Sequence, residues 1–360
     1  MKKLTLYNIF LFLSNISRNI VEIFSIVYLY QKGYKIKSIL LFYSIYYLVG
    51  VFIGYITVYL TRLIKIKILL VISGLLYGIS FYYLSIMSTT NYNLVVLSII
   101  LSISSFIYHT IRHYYAMSLV DNIDNKKIAS ILISAYLPMI FSSILGSYIV
   151  DKYSILVSSV IVIVLSIISI IPLLFIKDDI INSKIEYSKI NKDKLIFFIL
   201  EQFKVIFLLL EPIYLYLYIK NSLNYLATFN ILICTSSIIY LNLITQKINI
   251  NKYFKYINLL FCLVLLIKLN ISNKYILLIL AFFEGFGIKS FELVSNKNIY
   301  NINVNNINGY LITCELIFCI VRSIICLIFY LFIGSVKVML YISLIPIFII
   351  SFVKIANIKK

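Results

Sequence analysis

Tryptophan is absent from these 360 residues, histidine occurs twice, and only 12 % of the side chains are charged while 62 % are hydrophobic. A soluble globular domain carries roughly twice that charged share, so an ordinary water-facing surface cannot be built from this chain. Acid is scarcer than base: 13 Asp and Glu stand against 32 Lys and Arg, for a formal net charge of +19. The five cysteines, Cys234, Cys262, Cys314, Cys319 and Cys326, show no CxxC spacing and lie in apolar runs. They read as buried thiols rather than a redox or metal centre. No GxxxxGK[ST] stretch occurs, so the chain has no P-loop for nucleotide hydrolysis. The apolar run behind Lys2 and Lys3 is far longer than the core of a signal peptide, and no small-residue cleavage site follows it, so an uncleaved first span is expected.

What the sequence has in abundance is apolar runs of eighteen residues or more, each long enough to cross a bilayer as a helix; mean hydropathy is +1.03. Twelve spans are expected, near 6–30, 38–60, 68–87, 93–117, 128–150, 155–176, 195–219, 223–245, 254–272, 275–293, 309–333 and 336–356. The polar stretch KDDIINSKIEYSKINKDK (177–194) divides them six and six. It sets an N-terminal bundle, 1–176, a cytoplasmic linker, 177–194, and a C-terminal bundle, 195–360. A second polar stretch, SNKNIYNINVNNING (295–308), reads as the connection before span 11.

Basic residues fix the expected orientation. With both termini in the cytoplasm, cytoplasmic segments hold 19 Lys and Arg and outer segments hold 8, with Lys268 counted among the outer ones. That asymmetry follows the positive-inside rule. It also accounts for the net charge through loops and lipid headgroups, with no nucleic-acid partner expected. Tyrosines, as in EPIYLYLYIK (211–220), must supply the interfacial aromatic belt.

Ionisable groups at bilayer depth are costly and usually face a cavity or a bundle interior. Here they recur every third span: Arg18 and Glu22 in span 1, His109, Arg112 and His113 in span 4, Glu201, Lys204 and Glu211 in span 7, Glu284, Lys289 and Glu292 in span 10. Span 11 adds Glu315 and Arg322. At about 100° per residue, Arg18 and Glu22 lie about 40° apart, and Glu315 and Arg322 are nearly eclipsed. Each helix therefore carries one charged stripe. Glu201, Lys289 and Glu292, near span ends, could instead snorkel to the interface. Both histidines share FIYHTIRHYY (106–115). Their spacing could hold a metal, but Thr110 stands where a zinc protease needs Glu and Arg112 would repel a cation, so no metal or other cofactor is expected.

The six-plus-six layout, the charged central linker and the polar groups on spans 1, 4, 7 and 10 resemble the major facilitator superfamily. Locally, SRNIVEIFSIVYLYQKGYKIKSI resembles the first span and following loop of that family, and MSLVDNIDNKKIASILISAYLPMIFSSILGSYIVDKYSILV resembles the stretch from the end of span 4 into span 6. The signature loop between spans 2 and 3 keeps Gly54, Arg62, Lys65 and Lys67, with Val58 where the family has Asp. Of the Gly- and Pro-rich motif found in span 5 of its drug exporters, Pro138 and Gly146 are present. The resemblance implies an all-α polytopic protein of twelve transmembrane helices in two six-helix bundles that rock about a midplane substrate site.

A secondary transporter of a small polar solute, coupled to protons, is the expected function. Arg18, Glu22, His109, Arg112, Glu211, Glu284 and Arg322 are the expected substrate contacts, since guanidinium groups grip oxyanions. Glu22, Glu211, Glu284 and His113 are the expected proton carriers. The expected setting is a bacterial plasma membrane, with a monomer as the working unit. Two rivals come from other classes. A membrane-embedded glycan polymerase or acyltransferase would need a sizeable outer loop with paired catalytic groups, yet Asp151 is the sole acid expected in one. A non-transporting immunity or sensor protein is the other. No filter-forming segment supports a channel.

Overall fold

The computed structural model describes residues 2–119, 125–176, 190–220, 222–244, 250–300 and 307–353. Twelve α-helices follow one another: α1 (Lys2–Gln31), α2 (Ile36–Leu60), α3 (Ile66–Ile86), α4 (Asn91–Leu119), α5 (Asn125–Lys152), α6 (Ile155–Ile170), α7 (Lys192–Tyr218), α8 (Leu223–Ile244), α9 (Ile250–Asn270), α10 (Lys274–Tyr300), α11 (Ile307–Phe332) and α12 (Val336–Ile350). Among the described residues there is no strand. Most of the linker expected at 177–194 lies outside the described residues; its last three residues, Lys192 to Lys194, begin α7.

Local chemistry sets the helix ends. Gly33, at φ 97°, closes α1 in the left-handed conformation that a Cβ disfavours. Ser154 caps α6 by accepting from the Val157 amide, and Asn191 caps α7 by accepting from the Asp193 amide. Pro172 ends α6 and starts a short 3-10 turn, Ile171–Phe175. The structure corrects one boundary. The polar stretch from 295 was expected to be a connection, but α10 runs through it to Tyr300. Its polar groups meet neighbouring helices: the Ser295 side chain donates to Glu201, and the Asn298 backbone carbonyl accepts from Lys194 and Tyr310.

The first six helices pack among themselves and so do the last six, giving two bundles. Among the described residues, nine helices are long and apolar enough to cross a membrane. The charges of α7 and α10 and the shortness of α12 keep those three out of that set. Large apolar side chains such as Phe52, Phe141, Leu243, Leu260 and Phe332 stand exposed around the perimeter. A surface of that kind suits hydrocarbon rather than water. This is a multi-pass membrane protein.

The bundles meet along seams α2–α11, α5–α8 and α1–α7. In the half remote from the N-terminus the seams are tied by hydrogen bonds. Ser44 donates to the Ser323 carbonyl at 3.1 Å, and Ser323 returns the bond to the Ser44 carbonyl at 2.8 Å. Asn230 donates to Ser143 at 2.8 Å, and Gln31 to the Tyr216 hydroxyl at 2.7 Å.

Within the N-terminal bundle, α1 and α5 approach so closely that a Cβ on Gly146 would run into the Ile20 carbonyl oxygen. Backbone cannot swing aside as a side-chain tip can. Gly146→Val is therefore expected to destabilise the protein by about 1–3 kcal/mol, read as a lowered melting temperature in detergent; an unchanged melting temperature would mean that the two helices are not in this contact.

Candidate functional site: a charged cavity between the bundles

A cavity of about 560 Å³ lies between the bundles. Among the described residues its walls come from α1, α2, α4, α5, α7, α10 and α11, with none from α3, α6, α8, α9 or α12. It runs from the middle of α1, at Glu22, to Tyr7 near that helix's N-terminus, takes in the C-terminal half of α4 and the N-terminal half of α5, and reaches along α7 and α11 to Leu209 and Arg322, just past their midpoints. It therefore occupies the half of the molecule opposite the tied seams.

Five of the expected site residues line it: Glu22, His109, Arg112, His113 and Arg322. Glu22 is exposed within the cavity, and its Oε2 receives a long hydrogen bond, 3.4 Å, from the Tyr77 hydroxyl. His113 reaches across the gap to Glu315, with Nε2 3.9 Å from Oε1. Arg322 donates from Nε to Gln202 Oε1 at 2.7 Å and lies over the Tyr47 and Phe318 rings. Arg112 and Arg322 thus enter the same space from opposite bundles.

On the α7 and α10 wall, ion pairs alternate. Lys204 pairs with Glu201 at 3.2 Å, and Ser295 donates to the other Glu201 oxygen at 2.7 Å. Lys289 pairs with Glu292 at 2.5 Å, and Tyr136 of α5 donates to Glu292 from the facing bundle at 2.5 Å. For Glu201, Lys289 and Glu292, near span ends, snorkelling to the interface was the alternative. Instead Glu201, Lys204 and Lys289 are buried and partnered within the protein.

Three expected site residues stand elsewhere. Arg18 turns into the N-terminal bundle, donates to Ser73 at 2.9 Å and lies between two rings, 4.3 Å from the Tyr77 centroid and 3.8 Å from that of Tyr108. Glu211 and Glu284 are buried inside the C-terminal bundle, each paired with Lys268. Lys268 itself was expected in an outer segment; it lies in the last turn of α9 with 0 % exposure. Its two carboxylate partners on α7 and α10 hold it inside.

Searching for charge alone missed Asn19, Tyr46, Tyr47, Tyr136, Gln202 and Asn296, which also line the cavity. Adjacency along the helix to Glu201, or one turn from Glu22 and Glu292, would have flagged Gln202, Asn19 and Asn296. Among the described residues no cluster of three or more His, Cys, Asp or Glu could hold a metal.

No protein-family model and no curated protein sequence matches the chain. Solved structures do match. A point mutant of the nucleoside transporter NupG superposes with a TM-score of 0.70 at 14 % identity, covering 97 % of this chain and 98 % of that one. The human organic anion transporter MFSD10 (TETRAN) does so with a TM-score of 0.63 at 10 % identity, covering 97 % and 99 %. Both neighbours are major facilitator superfamily transporters. With twelve helices in two six-helix bundles around a central charged cavity, this chain has the major facilitator superfamily fold.

Proposed function

We propose that this protein is a secondary transporter, not an enzyme, which carries a small organic anion or zwitterion by alternating access, driven by protons. The observation that carries the reading is a cavity reached by Arg112 from one bundle and Arg322 from the other, opposite a seam tied by hydrogen bonds. An anion gripped by two guanidinium groups on different bundles draws them together. Tyr46, Tyr47, Phe106 and Phe318 offer ring faces to the organic part of the solute, and Glu22 offers a site for a cationic group. The names of the two structural neighbours, a nucleoside transporter and an organic anion transporter, agree with a solute of this size. In a bacterial plasma membrane with both termini cytoplasmic, the cavity faces the cytoplasm. The working unit is a monomer.

The test uses purified protein in detergent and three probes: benzoate, phenylalanine and uridine. A bound solute stabilises by mass action, by about 2.7 kcal/mol at a hundred times its Kd. Benzoate or phenylalanine is expected to raise the melting temperature, uridine to leave it unchanged, and Arg112→Gln or Arg322→Gln to abolish the rise. A shift with uridine alone, or one that survives loss of both arginines, would refute the anion reading.

A further inference from the structure

Glu211, Lys268 and Glu284 come from three helices of the C-terminal bundle, α7, α9 and α10, and meet away from the cavity. Lys268 and Glu284 are 0 % exposed and Glu211 is 4 % exposed. Lys268 Nζ donates to Glu284 Oε2 at 2.5 Å and also pairs with Glu211 Oε1. Two rings close over the ammonium, Phe207 of α7 at 5.5 Å and Phe229 of α8 at 5.1 Å. Among the described residues Glu211 and Glu284 are the carboxylates within ion-pair distance of Lys268. Near it, three tyrosine hydroxyls engage backbone or amide oxygens: Tyr214 of α7 with the Leu269 carbonyl, Tyr225 of α8 with the Lys274 carbonyl and Tyr341 of α12 with Asn270; Lys220, Lys274 and Lys337 stand at the helix ends beyond it.

One ammonium between two carboxylates leaves a charge of −1 in a place sealed from water, and an uncompensated buried charge costs several kcal/mol. The second Glu284 oxygen, Oε1, is buried with no hydrogen-bond partner. A proton or a metal cation could balance the charge. A metal cation needs a shell of oxygen ligands, and here an ammonium occupies the centre and phenyl rings close the side. A proton needs only one carboxyl oxygen.

Resting on the proton-driven reading above, we infer that the coupling proton is held here, on one carboxyl of the Glu211–Lys268–Glu284 cluster, and not on the acids that line the solute cavity. The loaded cluster is one carboxylic acid, one carboxylate and one ammonium, and is neutral. Release sends the proton to water on the side then open, leaving two carboxylates and a charge of −1, and uptake of one proton restores neutrality. Communication with the cavity needs no long relay. Helices α7 and α10 also carry the cavity-wall pairs Glu201–Lys204 and Lys289–Glu292, within about two to three turns of Glu211 and Glu284. A shift of α7 against α10 changes both places together.

The experiment is infrared spectroscopy of the purified full-length protein at neutral pH, with carbon-13 glutamate to identify side-chain carboxylic acid bands. Wild type is expected to show a protonated carboxyl band that disappears in Glu284→Gln or in Glu211→Gln. Lys268→Met, which removes the ammonium, is expected to add a second such band. Because glutamine imitates the protonated acid, one of the two Gln variants is expected to melt as wild type does. Absence of a protonated glutamate band in wild type, or a band unchanged in both Gln variants, would overturn the inference even if solute transport were established. A band that behaves as expected in a protein that moves no solute would instead leave the proton site standing and refute the transporter reading.

Discussion

Replacing Lys268 by methionine is expected to destabilise the protein by about 3–5 kcal/mol, the usual consequence of removing one partner from a buried ionic cluster. The loss comes less from the missing bonds than from what stays behind. Glu211 and Glu284 remain in the interior with Phe207 and Phe229 around them and no ammonium to share. Without the ammonium both acids must be protonated at neutral pH, which costs free energy; the triple change Lys268→Met, Glu211→Gln and Glu284→Gln leaves no acid to protonate and is expected to recover most of the stability. Melting temperature and the yield of monodisperse protein in detergent are the readouts. If Lys268→Met alone melted as wild type does, the lysine would have to reach water, and the buried cluster would not exist.

The second large effect concerns the seam. Ser44 and Ser323 exchange hydroxyl-to-carbonyl hydrogen bonds across α2 and α11, so the two backbones approach closely there. In a background lacking the five native cysteines, the pair Ser44→Cys and Ser323→Cys is expected to cross-link on oxidation. If the solute site reaches the other side of the membrane only when this seam parts, oxidation should reduce benzoate uptake into proteoliposomes to background, and a reductant should restore it. Binding of benzoate should survive, because the cross-link holds the protein in the state whose cavity is described above. Uptake at the wild-type rate in fully cross-linked protein would mean that the seam does not open.

Much of the fold was legible in the sequence because a bilayer simplifies the problem. An apolar run of about twenty residues has one good solution, a spanning helix, and polar connectors mark the gaps. Legibility failed where polar residues were buried rather than solvated. The stretch from Ser295 reads as a loop by composition, but Glu201, Lys194 and Tyr310 meet it from other helices, and no local rule reveals them. The same limit explains the site. Charge stripes identified α1, α4, α7, α10 and α11, but not which way each side chain turns. Arg18 and Glu22 lie about 40° apart on one helix, yet one is held between tyrosine rings and the other opens into the cavity. Glu211 and Glu284 belong to charged stripes as well, but both pair with the lysine from α9, away from the cavity.

Alternating access demands that the two ends of the molecule move in opposite senses. Spin-label pairs at Lys65 and Asp193, on the cavity side, and at Lys35 and Lys220, on the seam side, report both ends in reconstituted protein. On adding benzoate under an imposed proton gradient, the Lys65–Asp193 distance is expected to shorten while the Lys35–Lys220 distance lengthens. Two distance distributions that stay fixed under every condition, in protein shown to bind benzoate, would contradict transport by a rocking pair of bundles.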